Sequence, residues 1–394
     1  MNRLYATILA ITCLLTSVAA RAQTGQTITG SITVGGLVRD YRLYVPAAYQ
    51  AGHAVPLLLN LHGYGSNNQQ QELYGDFRAI ADTANFLVLH PNGTLDSYGY
   101  RTWNTFTAPG SGGPDDVAFL SALLTAIGQQ YTLDPDRLYC TGLSNGGFMS
   151  YELACHLGTR IAAIASVAGS IATTRLGTCT PAHPTPVLEI HGDADGTVPY
   201  LGNALFTPVP DVLTYWVTAN SCVATPVVTA VPDTDPTDGC TATRSVWRGS
   251  QAGAVVEHLR IIGGGHTWPG ASVNIGVTNR DLDASKEIWR FLRRYRLSRL
   301  ALAAVPAAVP VALRVYPNPA AGAATFAFTL AQPARTAITL YNLAGTRCAS
   351  ILPETTLAVG SHAITYASGS LPAGLYFYMV LAGSQVYMGK LVLE

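Results

Sequence analysis

Between residues 55 and 262 the chain repeats one pattern, a short apolar run followed by a longer stretch of helical periodicity. The runs fall at residues 55–61, 86–90, 137–141, 161–168, 187–191 and 258–262, and helical patterns occupy residues 69–84, 115–131, 145–157 and 281–297. Strands buried on both faces read as near-continuous apolar runs, and intervening helices supply the cover. The pattern therefore predicts an α/β domain with a mostly parallel sheet covered by helices on both faces. Residues 27–45 alternate apolar and polar around Gly35-Gly36, which predicts a β-hairpin ahead of the sheet. Residues 301–312 are rich in Ala, Pro and Val and read as a linker. From Val315 onward, short β-type runs separated by turn residues predict a small C-terminal all-β sandwich. With 394 residues, two to three domains are expected at about 150 residues each. The expected division is 1–22 signal peptide, 23–297 α/β domain, 298–314 linker and 315–394 sandwich.

The N-terminus has the form of an export signal: Arg3, an apolar run over residues 4–20, and a small-x-small site at Ala20-Arg21-Ala22. No later stretch is long and apolar enough to cross a bilayer, so no stable span is expected in the mature protein. With 48% hydrophobic and 12% charged residues, the chain is too apolar to be disordered. Its 23 basic and 23 acidic side chains balance, which argues against a nucleic-acid partner. The basic run Arg290, Arg293, Arg294 and Arg296 at the end of the last helical pattern reads as a solvated face. Export permits disulfides. Cys155, Cys179, Cys222 and Cys240 allow three pairings, of which proximity favours Cys155–Cys179 and Cys222–Cys240. Cys140, inside an apolar run, is expected as a buried free thiol.

The sharpest local signal is Thr141-Gly142-Leu143-Ser144-Asn145-Gly146-Gly147, a G-x-S-x-G sequence between an apolar run and a helical pattern. There a serine sits on a strained strand-to-helix turn, and the flanking glycines remove side chains that would clash. A glycine-rich structural turn is the plainer alternative. A serine nucleophile needs a base held by an acid, in the order serine, acid, histidine along such chains. Downstream, the run ending at His191-Gly192-Asp193-Ala194-Asp195 offers Asp193 and Asp195 at a strand tip. Further on, Gly263-Gly264-Gly265-His266 offers His266 as general base at another. An oxyanion hole needs two backbone N–H groups. Asn145, directly after the serine, supplies one, and Tyr64, in the loop His62-Gly63-Tyr64-Gly65, supplies the other. No metal or organic cofactor is required. The Asp115-Asp116 pair after Pro114 reads as a helix cap.

These residues resemble a family. Leu61-His62-Gly63, the segment from Gly142 to Met149, His191-Gly192-Asp193-Ala194-Asp195 and Gly265-His266-Thr267-Trp268-Pro269-Gly270 look like the secreted feruloyl and acetylxylan esterases and poly(3-hydroxybutyrate) depolymerases. Trp103-Asn104 and Asp115-Asp116-Val117 match as well. The resemblance spans residues 28–297 and implies an α/β-hydrolase fold and a serine esterase acting through an acyl-enzyme. Its His-Gly-x-x-Asp pattern puts the acid on Asp195 and leaves Asp193 to bond the loop backbone. It also implies that Tyr64, Trp103 and Trp268 lie near the substrate cleft. Depolymerase members often carry a cysteine after this His-Gly, whereas here Tyr64 follows. Feruloyl or acetyl esters on plant polysaccharide are thus the first expectation and a polyester depolymerase the second. Peptidase activity and a catalytically silent surface-binding protein are the competitors.

The C-terminal region carries a second resemblance. Val315-Tyr316-Pro317-Asn318-Pro319, the segment from Leu340 to Gly345, Leu371-Pro372-Ala373-Gly374-Leu375-Tyr376 and the final Lys390-Leu391-Val392-Leu393-Glu394 look like the sorting domain of the type IX secretion system. That implies passage through the periplasm, the secretion machinery as a partner, and a secreted or cell-surface location.

Overall fold

The computed structural model describes residues 24–107, 113–250, 252–301, 313–330, 333–342, 347–367, 369, 371–382 and 385–394. The expected signal peptide and most of the expected linker lie outside these residues.

The hairpin is β1 (Gln26–Val34) paired antiparallel with β2 (Leu37–Val45). The chain continues through β3 (Val55–Leu61), α1 (Asn68–Tyr74), α2 (Arg78–Ala84), β4 (Leu87–Pro91), a small hairpin of β5 (Thr94–Leu95) and β6 (Arg101–Thr102), and α3 (Asp116–Gln130). It then forms β7 (Leu133–Leu143), α4 (Asn145–His156), β8 (Ala163–Val167), β9 (Val187–Gly192) and α5 (Val209–Ala219). Strands β10 (Val227–Ala230), β11 (Thr241–Trp247) and β12 (Val256–Ile262) precede α6 (Ala284–Leu292) and α7 (Leu297–Ala301).

Ten strands form one sheet in the order β1-β2-β4-β3-β7-β8-β9-β12-β11-β10. The six from β4 to β12 are parallel, and antiparallel strands extend both edges. Period-2 alternation divides the buried side chains between two cores. Leu57, Leu59, Leu61 and Cys140 pack with Phe119 of α3, Leu153 of α4 and Trp216 of α5. Leu58, Tyr139, Leu188 and Leu259 pack with Ala81 of α2 and Ile288 and Trp289 of α6. Each such leucine contributes about 1.5–3 kcal/mol on burial, which is why both faces must be covered. The result is the expected α/β-hydrolase architecture.

Three local expectations are corrected. The helix expected over residues 69–84 is two helices, broken at Gly75. A Cβ there would come within 2.8 Å of the Gln71 side chain and 3.1 Å of Trp268. The basic run is not simply solvated. Arg290 and Arg294 of α6 and its end converge with Arg244 on the buried carboxylate of Glu257, and Arg296 reaches Asp134 at 3.2 Å. The third correction concerns the cysteines. Cys155 and Cys179 are bonded, and Cys140 is a buried thiol, but Cys222 and Cys240 are both unpaired. Cys240 directly precedes β11, whereas Cys222 adjoins Val223, whose N–H donates to the carbonyl of Arg248 past the other end of that strand. Seven residues of strand span roughly 20 Å, far beyond the reach of a disulfide. The two thiols also pack into opposite cores.

The C-terminal strands are β13 (Arg314–Tyr316), β14 (Ala323–Leu330), β15 (Ala334–Tyr341), β16 (Arg347–Leu357), β17 (Gly360–Ala367), β18 (Gly374–Ala382) and β19 (Gln385–Leu393). They form two antiparallel sheets, β13-β14-β17 and β16-β15-β18-β19. Phe326, Phe328, Ile338, Leu340, Val380 and Leu391 make their shared core, as the alternating pattern requires.

Candidate active site

Ser144 occupies the turn from β7 into α4 with φ 54° and ψ −120°, a left-handed backbone that a non-glycine residue adopts at a cost of about 1–3 kcal/mol. The neighbouring glycines make the turn possible. A Cβ on Gly146 would lie 2.2 Å from the carbonyl oxygen of Leu61, and one on Gly142 would lie 2.5 Å from the Gly146 backbone. The turn is anchored by the Ser144 N–H, which donates to Val167 at 2.8 Å.

Asp195 follows the tip of β9 and is buried. Its Oδ1 accepts from the N–H groups of Thr197 and Val198, both at 2.8 Å. Its Oδ2 lies 2.7 Å from His266 Nδ1. Burial opposes ionisation of this carboxyl, but hydrogen bonds from His191 and His266 and the Val198 N–H outweigh it and hold the group well below the usual carboxylate range. A ring nitrogen facing a carboxylate carries the proton, which leaves Nε2 of His266 as the acceptor. Asp193 is differently employed. Its Oδ1 accepts from the Gly263 N–H at 2.7 Å, and its Oδ2 pairs with Arg260 at 2.8 Å, so it fixes the glycine loop.

The loop carrying His266 leaves β12 and crosses the strand tips. Ala194 donates to Gly264 at 3.1 Å at the β9 end, and the Trp268 N–H meets the Tyr74 hydroxyl at 3.1 Å, beside α1 and beyond β3. His266 stands between these two anchors, against Asp195. No hydrogen bond joins Ser144 to His266 among the described residues. Such bonds are often long before substrate arrives and tighten in the complex.

The loop after β3 lies against the serine: a Cβ added at Gly63 would lie 3.4 Å from the Ser144 Cβ. His62 holds this loop. Its Nδ1–H donates to Gly63 at 2.7 Å and its Nε2 accepts from the Gly93 N–H at 2.9 Å. That pattern needs a neutral ring, and burial lowers the His62 pKa to about 4. Asn145 is fixed by its side chain, which accepts from the Trp103 N–H at 2.7 Å and donates to Trp103 and Thr105, each at 3.1 Å. As the first helical residue, Asn145 has a backbone N–H with no partner inside the helix.

The two tryptophans expected beside the substrate are instead interior. Trp103 and Trp268 are each 1% exposed. Trp103 donates from Nε1 to the His62 carbonyl at 2.9 Å, so that it braces both the His62 loop and Asn145, and Trp268 donates to Ser285 at 3.2 Å and packs edge-on against Phe77. The Asp pair is split in role: Asp115 caps α3 through the Ala118 N–H, and buried Asp116 pairs with Arg39 and accepts from the Asn104 N–H at 2.6 Å. The exposed aromatic side chains are others. Tyr64 and Tyr100 pack 5.6 Å apart, and Tyr98, 82% exposed, sits at the tip of the β5–β6 hairpin. Asp96 organises all three, accepting from the Tyr64 hydroxyl at 2.6 Å and from the Tyr98 and Tyr100 N–H groups at 2.9 Å. Phe106, also exposed, adjoins Phe148 and Phe206. Sequence reading named Tyr64 but passed over Tyr98, Tyr100 and Phe106, because exposed aromatic residues in a loop carry no periodic signal; only the placement of the Tyr-Gly-Tyr segment, residues 98–100, in a loop hinted at them.

A mostly parallel sheet with a strained serine turn, a carboxylate and a histidine at its strand tips defines the α/β-hydrolase class. Residues 39–179 match the family described as esterase PHB depolymerase, and residues 314–394 match the secretion system C-terminal sorting domain. NocK of Nocardia uniformis subsp. tsuyamanensis, which carries the name of an esterase, is 30% identical over 285 residues, covering 66% of this chain and 81% of that protein. A bifunctional acetylxylan esterase/xylanase of Neocallimastix patriciarum is 25% identical over 261 residues, 66% of this chain but only 34% of that longer protein. A protein of Aspergillus clavatus named as feruloyl esterase C is 30% identical over 214 residues, 50% of this chain and 71% of that one. The chain belongs to the PHB depolymerase family of esterases, and it is a carboxylic ester hydrolase ending in a type IX sorting domain.

Proposed function

We propose that the chain is a serine esterase in which Ser144, His266 and Asp195 form the catalytic triad. Ser144 Oγ attacks the ester carbonyl carbon while His266 Nε2 takes the hydroxyl proton. The N–H groups of Tyr64 and Asn145 receive the developing oxyanion, and each such donor is worth roughly 3–4 kcal/mol in comparable sites. The intermediate collapses, the alcohol leaves with the proton held by His266, and an acyl-enzyme remains. Water, deprotonated by His266, then attacks that acyl carbon and restores Ser144. Asp195 keeps the imidazole in the working tautomer and balances its transient charge. The single observation that carries this reading is the 2.7 Å bond from His266 Nδ1 to Asp195 over the strand tips that hold the strained Ser144.

The substrate proposed is a feruloyl or acetyl ester on plant polysaccharide. The names of the relatives support it, and so does the exposed tyrosine rim beside the oxyanion loop, since flat aromatic faces stack on sugar or phenolic rings. A poly(3-hydroxybutyrate)-type polyester is the second reading, favoured by the family's description. The sorting domain supports a secreted or cell-surface protein, in which residues 23–297 are the catalytic unit and cleavage falls near the 298–314 linker. A panel of methyl ferulate, acetylated xylan, short p-nitrophenyl esters and a polyhydroxybutyrate film tests the choice. Release of ferulate or acetate at least tenfold faster than film hydrolysis is expected. The reverse ranking moves the enzyme to the polyester reading.

A further inference from the structure

Behind the candidate acid lies a second histidine that the reaction above does not use. His191 ends β9 and is buried. Its Nδ1 lies 2.9 Å from Glu189 Oε1, and its Nε2 lies 2.9 Å from the Val198 carbonyl and 3.5 Å from Asp195 Oδ2. Glu189 is likewise buried, and its Oε2 accepts from the Tyr151 hydroxyl of α4 at 2.6 Å. Hydrogen-bond accounting fixes most of the protons. A carbonyl oxygen only accepts, so Nε2 of His191 carries hydrogen. One further proton sits between Nδ1 and Glu189, in a site closed to water.

We propose that His191 is a positioning residue for the catalytic carboxylate: an imidazolium paired with Glu189 that holds Asp195 through the same oxygen that receives His266, and so draws off part of the charge His266 would otherwise feel. The proposal rests on the triad assigned above. Its surroundings favour the charged ring. His258 of β12 is neutral, because burial lowers its pKa to about 4, and its Nε2 accepts the Tyr200 hydroxyl at 3.1 Å. Arg260 is committed to Asp193. The acceptors left facing His191 are the carboxylates of Glu189 and Asp195 and the Val198 carbonyl. Burial works against both charges, raising the Glu189 pKa and opposing a charged ring at His191, but the contacts of His191 with Asp195 and Glu189 override it and raise the His191 pKa to about 10.

The geometry has a kinetic consequence. His191 Nε2 at 3.5 Å and His266 Nδ1 at 2.7 Å face one oxygen of Asp195, so these two nitrogens are no farther apart than the sum of the two distances to it. Removing the His191–Glu189 pair takes away the nearer positive charge and the farther negative one, so on balance His266 feels more of the Asp195 field and holds its proton to higher pH. The acid limb of kcat/KM therefore moves upward, by about half a pH unit at intermediate dielectric once the two opposed charges are set against each other.

Two measurements on the full chain decide it. In protein carrying 15N-labelled histidine, His191 should show both nitrogens protonated at pH 8 and titrate only toward pH 10. A neutral ring at pH 8 overturns the proposal. The pH profile of p-nitrophenyl acetate hydrolysis is then compared for the native chain and the double variant His191→Gln with Glu189→Gln, which leaves no buried charge unpaired. The double variant should shift the acid limb up by about half a unit. An unmoved limb in a double variant that melts cooperatively sinks the proposal, because a merely structural histidine would alter stability alone. Fluorophosphonate labelling runs alongside: failure to label Ser144 in the native chain counts against the triad itself, whereas normal labelling with an unmoved limb counts only against His191.

Discussion

Asp193 and Asp195 stand two positions apart in one loop, yet their oxygens do different work. Every oxygen of Asp193 is occupied by Arg260 or the Gly263 N–H, whereas Asp195 Oδ2 faces His266. Asp195→Asn should lower kcat for p-nitrophenyl acetate by about 10³–10⁴-fold through loss of the working tautomer. Asp193→Asn should cost less than about tenfold, acting through loop placement. Equal losses, or a larger loss at Asp193, would move the acid. Spacing alone left both aspartates open, because a strand tip offers either carboxylate to the same edge; the His-Gly-x-x-Asp resemblance chose between them. His191 was legible only as a histidine before a glycine. Its partners, Glu189 two positions back and Tyr151 on α4, become neighbours through folding, and a single sequence carries no mark of that.

At the level of elements, the nucleophile turn is held by contacts that run in two directions. Strand β3 and the glycines of the β7–α4 turn interlock at distances that exclude any side chain, while the far end of α4 is tied to the segment before β9 by Cys155–Cys179. The bond closes a loop with a sequence separation of 24, for which chain entropy gives about 3 kcal/mol. Cys155→Ser with Cys179→Ser should lower Tm by about 5–10 °C in a domain of this size and leave kcat/KM at 25 °C within about threefold. An unchanged Tm, or a large loss of activity at full folding, would contradict that division of labour. The parallel strands were legible because burial on both faces makes them uniformly apolar. Helix α5 and strands β10 and β11 were not. β10 is exposed throughout and β11 mixes buried Ala242 and Val246 with arginine and threonine, so neither shows a clean period. Trp103 and Trp268 were legible as important and misplaced. A tryptophan near a catalytic motif is equally suited to stack on substrate or to brace the loop from below, and here the indole N–H groups find partners inside.

For the whole molecule, function follows from strand polarity. The six parallel strands from β4 to β12 point their carboxyl ends to one edge, and the loops beyond β3, β7, β9 and β12 carry the proposed oxyanion donor Tyr64 and the proposed triad of Ser144, Asp195 and His266. Ligand sites of open α/β sheets lie at that edge as a class. The C-terminal sandwich has a core of its own, in keeping with a sorting role separate from chemistry. The central claim is that one hydroxyl, Ser144, carries the acyl group. Incubating the active chain with a fluorophosphonate and mapping the adduct by peptide mass spectrometry tests it most directly. The account predicts a single adduct on Ser144, loss of ester turnover in step with its formation, and neither adduct nor turnover in Ser144→Ala. Full hydrolysis by Ser144→Ala, or inactivation with the adduct on another side chain, would contradict it.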